Sequence, residues 1–68
     1  MKRLVMFYIS YKGGDIEGHR ISTKTYPIFT RKSRIVDDFY EWQVEQLFIV
    51  NKEDSQVVYI TNTKIIGL

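Results

Sequence analysis

Apolar residues recur at helical spacing from residue 33 to residue 51, the one segment long and periodic enough to form a substantial helix. On a wheel of about 100° per residue, one broad stripe gathers the side chains of Val36, Tyr40, Val44, Leu47 and Phe48. The opposite side carries the acidic residues Asp38, Glu41 and Glu45. The pattern therefore predicts a helix, capped by Ser33, that buries the apolar stripe and turns an acidic back to solvent.

Two large apolar residues break this pattern. Trp42 and Ile49 lie seven residues apart, near the middle of the acidic side of the wheel. The helix could be shorter, with a strand at residues 46–50, or it could be buried on two sides. We favour a third interpretation, in which Trp42 and Ile49 form an exposed apolar pair that binds a protein partner, with Glu45 as a charged rim between them.

The residues from 3 to 11 alternate as in a β-strand, but both faces of that strand are apolar. One face carries Val5, Phe7 and Ile9, and the other carries Leu4, Met6 and Tyr8. A single helix can cover only one of these faces. In so short a chain, the simplest cover for the second face is another copy, so Leu4, Met6 and Tyr8 are predicted to form a homodimer interface.

Turn residues and β-rich segments complete the predicted fold. Two adjacent glycines in residues 12–15 predict a turn, residues 16–18 lengthen the hairpin loop, and residues 19–26 form a more polar edge strand. Ile28 and Phe29 are expected to tuck in before the helix. A third strand covers residues 56–61, and residues 61–68 either continue it or turn back into a short fourth strand.

The predicted architecture is α+β. A β-β-α-β chain forms a three-stranded antiparallel sheet of order 2-1-3, with the helix packed on one face. With 68 residues, the chain forms a single domain spanning residues 1–68.

Composition argues against most enzyme chemistries. The chain has no cysteine and one histidine, so no disulfide and no structural zinc site are expected. A domain of this size has little room for a substrate pocket beside its core. We therefore expect a non-enzymatic protein without a cofactor. No apolar run reaches the length of a membrane span, and we expect a cytoplasmic location without a membrane partner.

Charge is unevenly distributed along the chain. Eight Lys or Arg and two acids precede residue 35, whereas two Lys and six acids follow it. The basic half supports an alternative function in nucleic-acid binding, with Tyr8 or Tyr26 available for stacking. Its candidate phosphate-binding residues are Arg20, Lys24, Arg31, Lys32 and Arg34. The acidic half would repel the same backbone, so we rank this alternative below protein binding.

The order of elements resembles that of a loose group of very small bacteriophage early proteins. The resemblance rests on the first strand, Phe7-Tyr8-Ile9-Ser10-Tyr11, the glycine hairpin, the acidic helix and the last strand, Val57-Val58-Tyr59-Ile60. It covers most of the chain as a pattern, and residues 64–68 depart from it. The resemblance implies a homodimeric inhibitor of a host protein, such as a defence factor, acting in the host cytoplasm. It carries over no functional residues.

Overall fold

Three antiparallel strands and one helix account for most of the chain in the computed structural model, which describes all 68 residues. The strands β1 (Lys2–Gly13), β2 (Ile16–Pro27) and β3 (Tyr59–Ile66) form one sheet in the order β2-β1-β3. The helix α1 (Lys32–Asp54) connects β2 to β3. The predicted α+β class, the order of elements and the order of the strands are confirmed.

The β1–β2 hairpin is longer and tighter than predicted. Gly13 pairs with Ile16, so only Gly14 and Asp15 form the loop, and the prediction that residues 16–18 lengthen it is wrong. Gly14 has a φ of 57°, whereas Asp15 does not have a positive φ. A positive φ at the first central position is typical of type II′ turns, whose twist matches that of the paired strands. The tight turn therefore extends the ladder by three residue pairs beyond the predicted start of β2.

The strand β3 begins later and ends later than predicted. It starts at Tyr59 rather than at residue 56, because the Val58 amide donates to Asn51 Oδ1 at 3.0 Å instead of joining the sheet. Between Ile60 and Asn62, the register to β1 shifts by one residue, which makes Thr61 a bulge. The strand then continues to Ile66, so residues 61–68 form no fourth strand.

Residues 46–50, for which the sequence leaves a strand as an alternative, are helical, so α1 continues without a break through this segment. Ser33 lies inside its first turn, so the predicted cap is wrong. The N-cap is Arg31, which makes no side-chain capping bond. At the other end, Ser55 stops the helix with a left-handed φ of 54°. The helix is 23 residues long and spans about 35 Å, enough to run along the length of the sheet.

The core lies between α1 and one face of the sheet. It consists of Val5, Phe7, Ile9, Tyr26, Ile35, Phe39 and Trp42. The ring centroid of Phe7 lies 5.2 Å from that of Phe39 and 5.8 Å from that of Trp42, so three aromatic rings form its centre. Ile28 and Phe29 are exposed, which contradicts the expectation that they tuck in before the helix.

The orientation of α1 about its axis differs from the predicted one. Trp42 is only 7% exposed and packs on the sheet, whereas Tyr40, Val44 and Phe48 of the predicted core stripe are exposed. The two sets lie on roughly opposite sides of a helical wheel. The helix is therefore rotated by about half a turn from the predicted orientation.

A hydrogen bond ties the end of β2 to the first turns of α1. Tyr26 Oη donates to Asp38 Oδ2 at 2.9 Å, and Arg34 forms an ion pair with the other carboxylate oxygen of Asp38 at 3.4 Å. Burial raises the pKa of Tyr26. The hydrogen bond and the charge of Asp38 raise it further, Arg34 lowers it, and the result is a pKa of about 12.

Replacing Tyr26 with phenylalanine should remove about 1.5–3 kcal/mol of stability at neutral pH, because a hydrogen bond to a carboxylate is lost. The raised pKa of Tyr26 also stabilises the wild-type fold below pH 10, and this contribution is lost as pH rises through about 12. The free energy of unfolding, measured in urea, should therefore decrease more steeply between pH 8 and pH 12 for the wild type than for Tyr26→Phe. Tyr59→Phe, at an exposed tyrosine, is the control, and equal pH slopes for all three proteins would contradict the prediction.

Candidate protein-binding surface

The solvent-facing side of α1 carries three large apolar side chains in a line. Tyr40, Val44 and Phe48 are 60%, 69% and 68% exposed, and we call these three residues the outer stripe. They are spaced four residues apart, which places them one above another on the same side of a helix. Leu47 lies beside them and is half-buried. Core packing does not explain the outer stripe, because the helix already covers the sheet with its opposite face.

An acidic margin accompanies the outer stripe. Asp37, Glu41 and Glu45 are exposed, and no Lys or Arg occurs from residue 35 to residue 51 of the helix. Tyr40, Glu41, Val44 and Glu45 line a shallow, open depression on the helix surface. The surface therefore combines apolar contact area with three acids that form no ion pair, and Arg34 and Lys52 lie at the two ends of the same side of the helix. The aromatic residues Tyr40 and Phe48 lie near its two ends.

Only part of the predicted docking site lies on this surface. Trp42 is a core residue and Ile49 is half-buried, so the predicted exposed pair of apolar residues is wrong. Glu45 is exposed and lies at the edge of the outer stripe. The helix has two apolar sides, and its buried side runs through Ile35, Phe39 and Trp42. That spacing of four and then three residues was the available sequence signal for the buried side.

The face of the sheet opposite α1 is uncovered. Leu4, Met6 and Tyr8 lie on it, as their alternation with the buried residues of β1 predicts. Leu4 is 66% exposed, whereas Met6 and Tyr8 are half-buried. The strand register places Ile21 of β2 beside Tyr8 and Ile66 of β3 beside Met6. We call these five residues the open sheet face.

At the hairpin end of that face the surface becomes polar. The ring of Tyr8 stacks on His19 with centroids 6.0 Å apart, and the hydroxyls of Ser10 and Thr61 share a 2.8 Å hydrogen bond. Together with Lys12 and other neighbours, they line an open groove of about 270 Å³. His19 is thus in contact with an aromatic ring, and the hydroxyl of Ser10 is bonded to a second hydroxyl.

The basic residues proposed for nucleic-acid binding do not form one patch. Arg20 donates to Gln46 Oε1 at 3.1 Å and forms a 3.4 Å ion pair with Glu53, both on the C-terminal half of α1. Gln46 lies about 18 Å along the helix axis from Arg34, near the other end. Arg31 and Lys32 are exposed at the helix start, and Lys24 is exposed on β2. Arg20 is therefore separated from the basic residues at the helix start, and the five residues do not act as one cluster that includes Arg20.

Comparison with protein-family models, with curated proteins and with solved structures finds no match to this chain. No helix of the protein is both long enough and apolar enough to cross a membrane.

Proposed function

We propose that this protein is a small non-enzymatic protein-binding module that presents α1 to an apolar groove on a partner protein. The observation that supports this proposal is the outer stripe of Tyr40, Val44 and Phe48. Contiguous exposed apolar surface is uncommon on proteins that act alone and is typical of interaction sites. A rigid helix with apolar anchors at regular spacing suits recognition by a groove, and aromatic side chains are frequent among the residues that dominate such binding.

The acidic margin specifies the chemistry of the partner. Asp37, Glu41 and Glu45 flank the outer stripe, and none of them takes part in an ion pair. A groove rimmed by Lys or Arg would attract this surface and accelerate association, whereas an acidic groove would repel it. We therefore propose a partner with a basic rim around an apolar groove. The resemblance to small bacteriophage early proteins makes a host protein, such as a defence factor that this module inhibits, the first candidate.

The proposal is tested with variants that place a charge of the wrong sign on the outer stripe. Val44→Lys and Phe48→Lys should leave the fold intact, because both positions are exposed. Gln56→Lys, in the exposed loop after α1, makes a matched change of charge elsewhere. Affinity capture from host lysate identifies candidates, and the affinity of each purified candidate is then measured with all four proteins. We expect losses of about 30-fold or more for the two stripe variants and none for Gln56→Lys.

A partner that binds Val44→Lys and Phe48→Lys as tightly as the wild type would contradict the proposal. A labelled mixed-sequence duplex and a single-stranded RNA serve as nucleic-acid probes. Sub-micromolar affinity for either at about 0.15 M salt, with a steep salt dependence, would favour the nucleic-acid alternative. We expect only weak and non-specific binding, because two of the five basic side chains are already paired with acids of α1.

A further inference from the structure

A β-turn at one end of the molecule exposes two apolar side chains. The Thr30 amide donates to the Pro27 carbonyl oxygen at 2.9 Å, which closes this turn between β2 and α1. Ile28 and Phe29 occupy its two central positions; both are exposed, and Phe29 is 84% exposed. Gly, Pro, Asn, Asp and Ser are the residues that dominate turns. The core does not use Ile28 or Phe29, so their apolar character points to a contact outside the molecule.

Met1 lies beside this turn and extends its apolar surface. The Ile28 amide donates to the Met1 carbonyl oxygen at 3.2 Å, and Met1 is exposed. Arg3 holds the loop from β1, since its guanidinium donates to the Ile28 carbonyl oxygen at 3.5 Å. We call Met1, Ile28 and Phe29 the loop tip. It lies at the opposite end of the sheet from the β1–β2 turn.

Four basic residues adjoin the loop tip, two after Met1 and two shortly after Phe29. None of them takes part in an ion pair, and we call them the basic collar: Lys2, Arg3, Arg31 and Lys32. The nearest acids on α1 are Asp37 and Asp38, and Asp38 is already paired with Arg34. The helix also starts here with no acid in its first turn, so the positive end of its dipole adds to the charge of the collar.

This end of the molecule differs in charge from the rest. Residues 1–3 and 31–34 hold five of the ten Lys and Arg and none of the eight acids. The acids lie on α1 from residue 37 onward and in the hairpin, whose turn is at the other end of the sheet. Since the molecule is 43 Å long and 15 Å wide, it is a charge dipole whose positive end carries the loop tip. An anionic surface would therefore orient the protein with the loop tip toward it.

We propose that the loop tip inserts into the surface of an anionic lipid bilayer, with the basic collar on the lipid phosphates. Binding of this kind grows with the apolar area that is buried and with the attraction of Lys and Arg to anionic lipids. Met1 and Ile28 are not aromatic and cannot stack on bases, which favours lipid over a single-stranded nucleic acid. The proposal revises the expectation of no membrane partner, which concerns segments that span a bilayer.

The proposal goes beyond the proposed function, because it uses one end of the molecule and leaves the outer stripe free. Tyr40, the first residue of the outer stripe, lies about 12 Å along the helix axis from Lys32. Insertion at the headgroup boundary reaches only about 5–10 Å. A protein bound through its loop tip would therefore still present the outer stripe to a protein partner.

Vesicle co-sedimentation tests the contribution of the apolar tip. The probes are vesicles of phosphatidylcholine with about 30% phosphatidylserine and vesicles of phosphatidylcholine alone, and the wild type should bind the former at least about tenfold more tightly. Phe29→Ala should weaken binding to the anionic vesicles by about tenfold or more, because a buried aromatic side chain is lost. Phe48→Ala removes the same side chain from the outer stripe and should bind like the wild type.

A pair of double variants tests the basic collar. Arg31→Gln with Lys32→Gln should weaken binding to the anionic vesicles by about 30-fold, since each Lys or Arg near such a surface contributes about fivefold. Lys12→Gln with Lys64→Gln is the control, because it removes the same charge from exposed positions elsewhere. Lys64 pairs with Tyr8, about 20 Å along β1 from Lys2, which exceeds the screening length of about 8 Å at physiological salt. Circular dichroism verifies that all variants are folded.

A wild type that does not bind the anionic vesicles would overturn the proposal, as would equal binding to both kinds of vesicle. Phe29→Ala that binds as tightly as the wild type would show that the loop tip does not insert. A loss in Phe48→Ala without a loss in Phe29→Ala would place the membrane contact on the outer stripe instead. A labelled single-stranded RNA that binds through Arg31 and Lys32, while the vesicles stay unbound, would assign this end to nucleic acid.

Discussion

Replacing Trp42 with alanine should destabilise the domain by about 3–5 kcal/mol, the cost of emptying a large aromatic site in a core. Trp42 is 7% exposed, and its ring lies 5.8 Å from Phe7 and 6.1 Å from Phe39. A chain of this length has a total stability of roughly 3–10 kcal/mol. Trp42→Ala should therefore be largely unfolded or close to its unfolding midpoint at room temperature.

Phe48→Ala is the matched control, because it removes another aromatic side chain from the same helix. Phe48 lies on the outer stripe, so its loss should change stability by less than about 0.5 kcal/mol. Urea unfolding followed by far-ultraviolet circular dichroism compares both variants without depending on tryptophan fluorescence. A larger loss for Phe48→Ala than for Trp42→Ala would mean that the helix faces the other way.

The second large effect is expected at Phe7, the residue of β1 on which the helix aromatics converge. It is fully buried, and its ring contacts those of Phe39 and Trp42. Phe7→Ala should cost about 3–5 kcal/mol. Phe29→Ala removes the same side chain from an exposed loop position and should cost little. Equal losses in the two variants, measured by urea unfolding, would contradict the aromatic core described above.

Smaller substitutions can measure how strongly the rings depend on one another. Phe7→Leu, Phe39→Leu and the double variant form a cycle that retains most of the apolar volume. Tilted aromatic pairs such as this one contribute about 0.5–1.5 kcal/mol beyond buried area. We expect a coupling of that size, and strictly additive losses would show that the two rings do not interact.

Much of the fold could be predicted because local patterns and global topology agree. The two-sided apolar pattern of β1 requires a central position, and the polar pattern of β2 suits an edge. The long helix between β2 and the last strand then leaves the other side of β1 for β3. The alternation of apolar and polar residues within a strand indicates its place in the sheet, and this alternation stays the same when the end of the strand moves by a few residues.

The orientation of α1 could not be predicted in the same way. The helix has two apolar sides. A helical wheel shows how many apolar residues each side carries and how wide an arc they cover, but it does not show which side packs on the sheet. Tyr40, Val44 and Phe48 formed the broader stripe, but the sheet buries the side with Phe39 and Trp42. Both sides carry two aromatic residues, so the number of rings does not decide between them. The buried side holds Trp42, the largest side chain of the helix, and the rings of Trp42 and Phe39 both pack on Phe7.

The details at chain ends and turns depended on contacts between distant residues. The start of β3 is delayed by the bond from the Val58 amide to Asn51, which no local pattern predicts. Likewise, Arg20 of β2 binds Gln46 and Glu53 in the C-terminal half of α1. Its position in the sequence, among the basic residues of the first half, did not indicate these contacts. The predicted pairing of Trp42 with Ile49 failed for the same reason as the helix orientation.

Our central claim is that α1 buries one apolar side against the sheet and presents the outer stripe to solvent. The chain has no cysteine, so a single introduced cysteine reports on one position alone. The rate of thiol labelling by a water-soluble disulfide reagent should be compared for Val44→Cys and Val50→Cys, since Val44 is exposed and Val50 is buried on the same helix.

We predict that Val44→Cys reacts at nearly the rate of an unfolded control, whereas Val50→Cys reacts at least about 100-fold more slowly, since it must wait for unfolding. Similar rates at the two positions, or a protected cysteine at position 44 in the isolated protein, would contradict the claim.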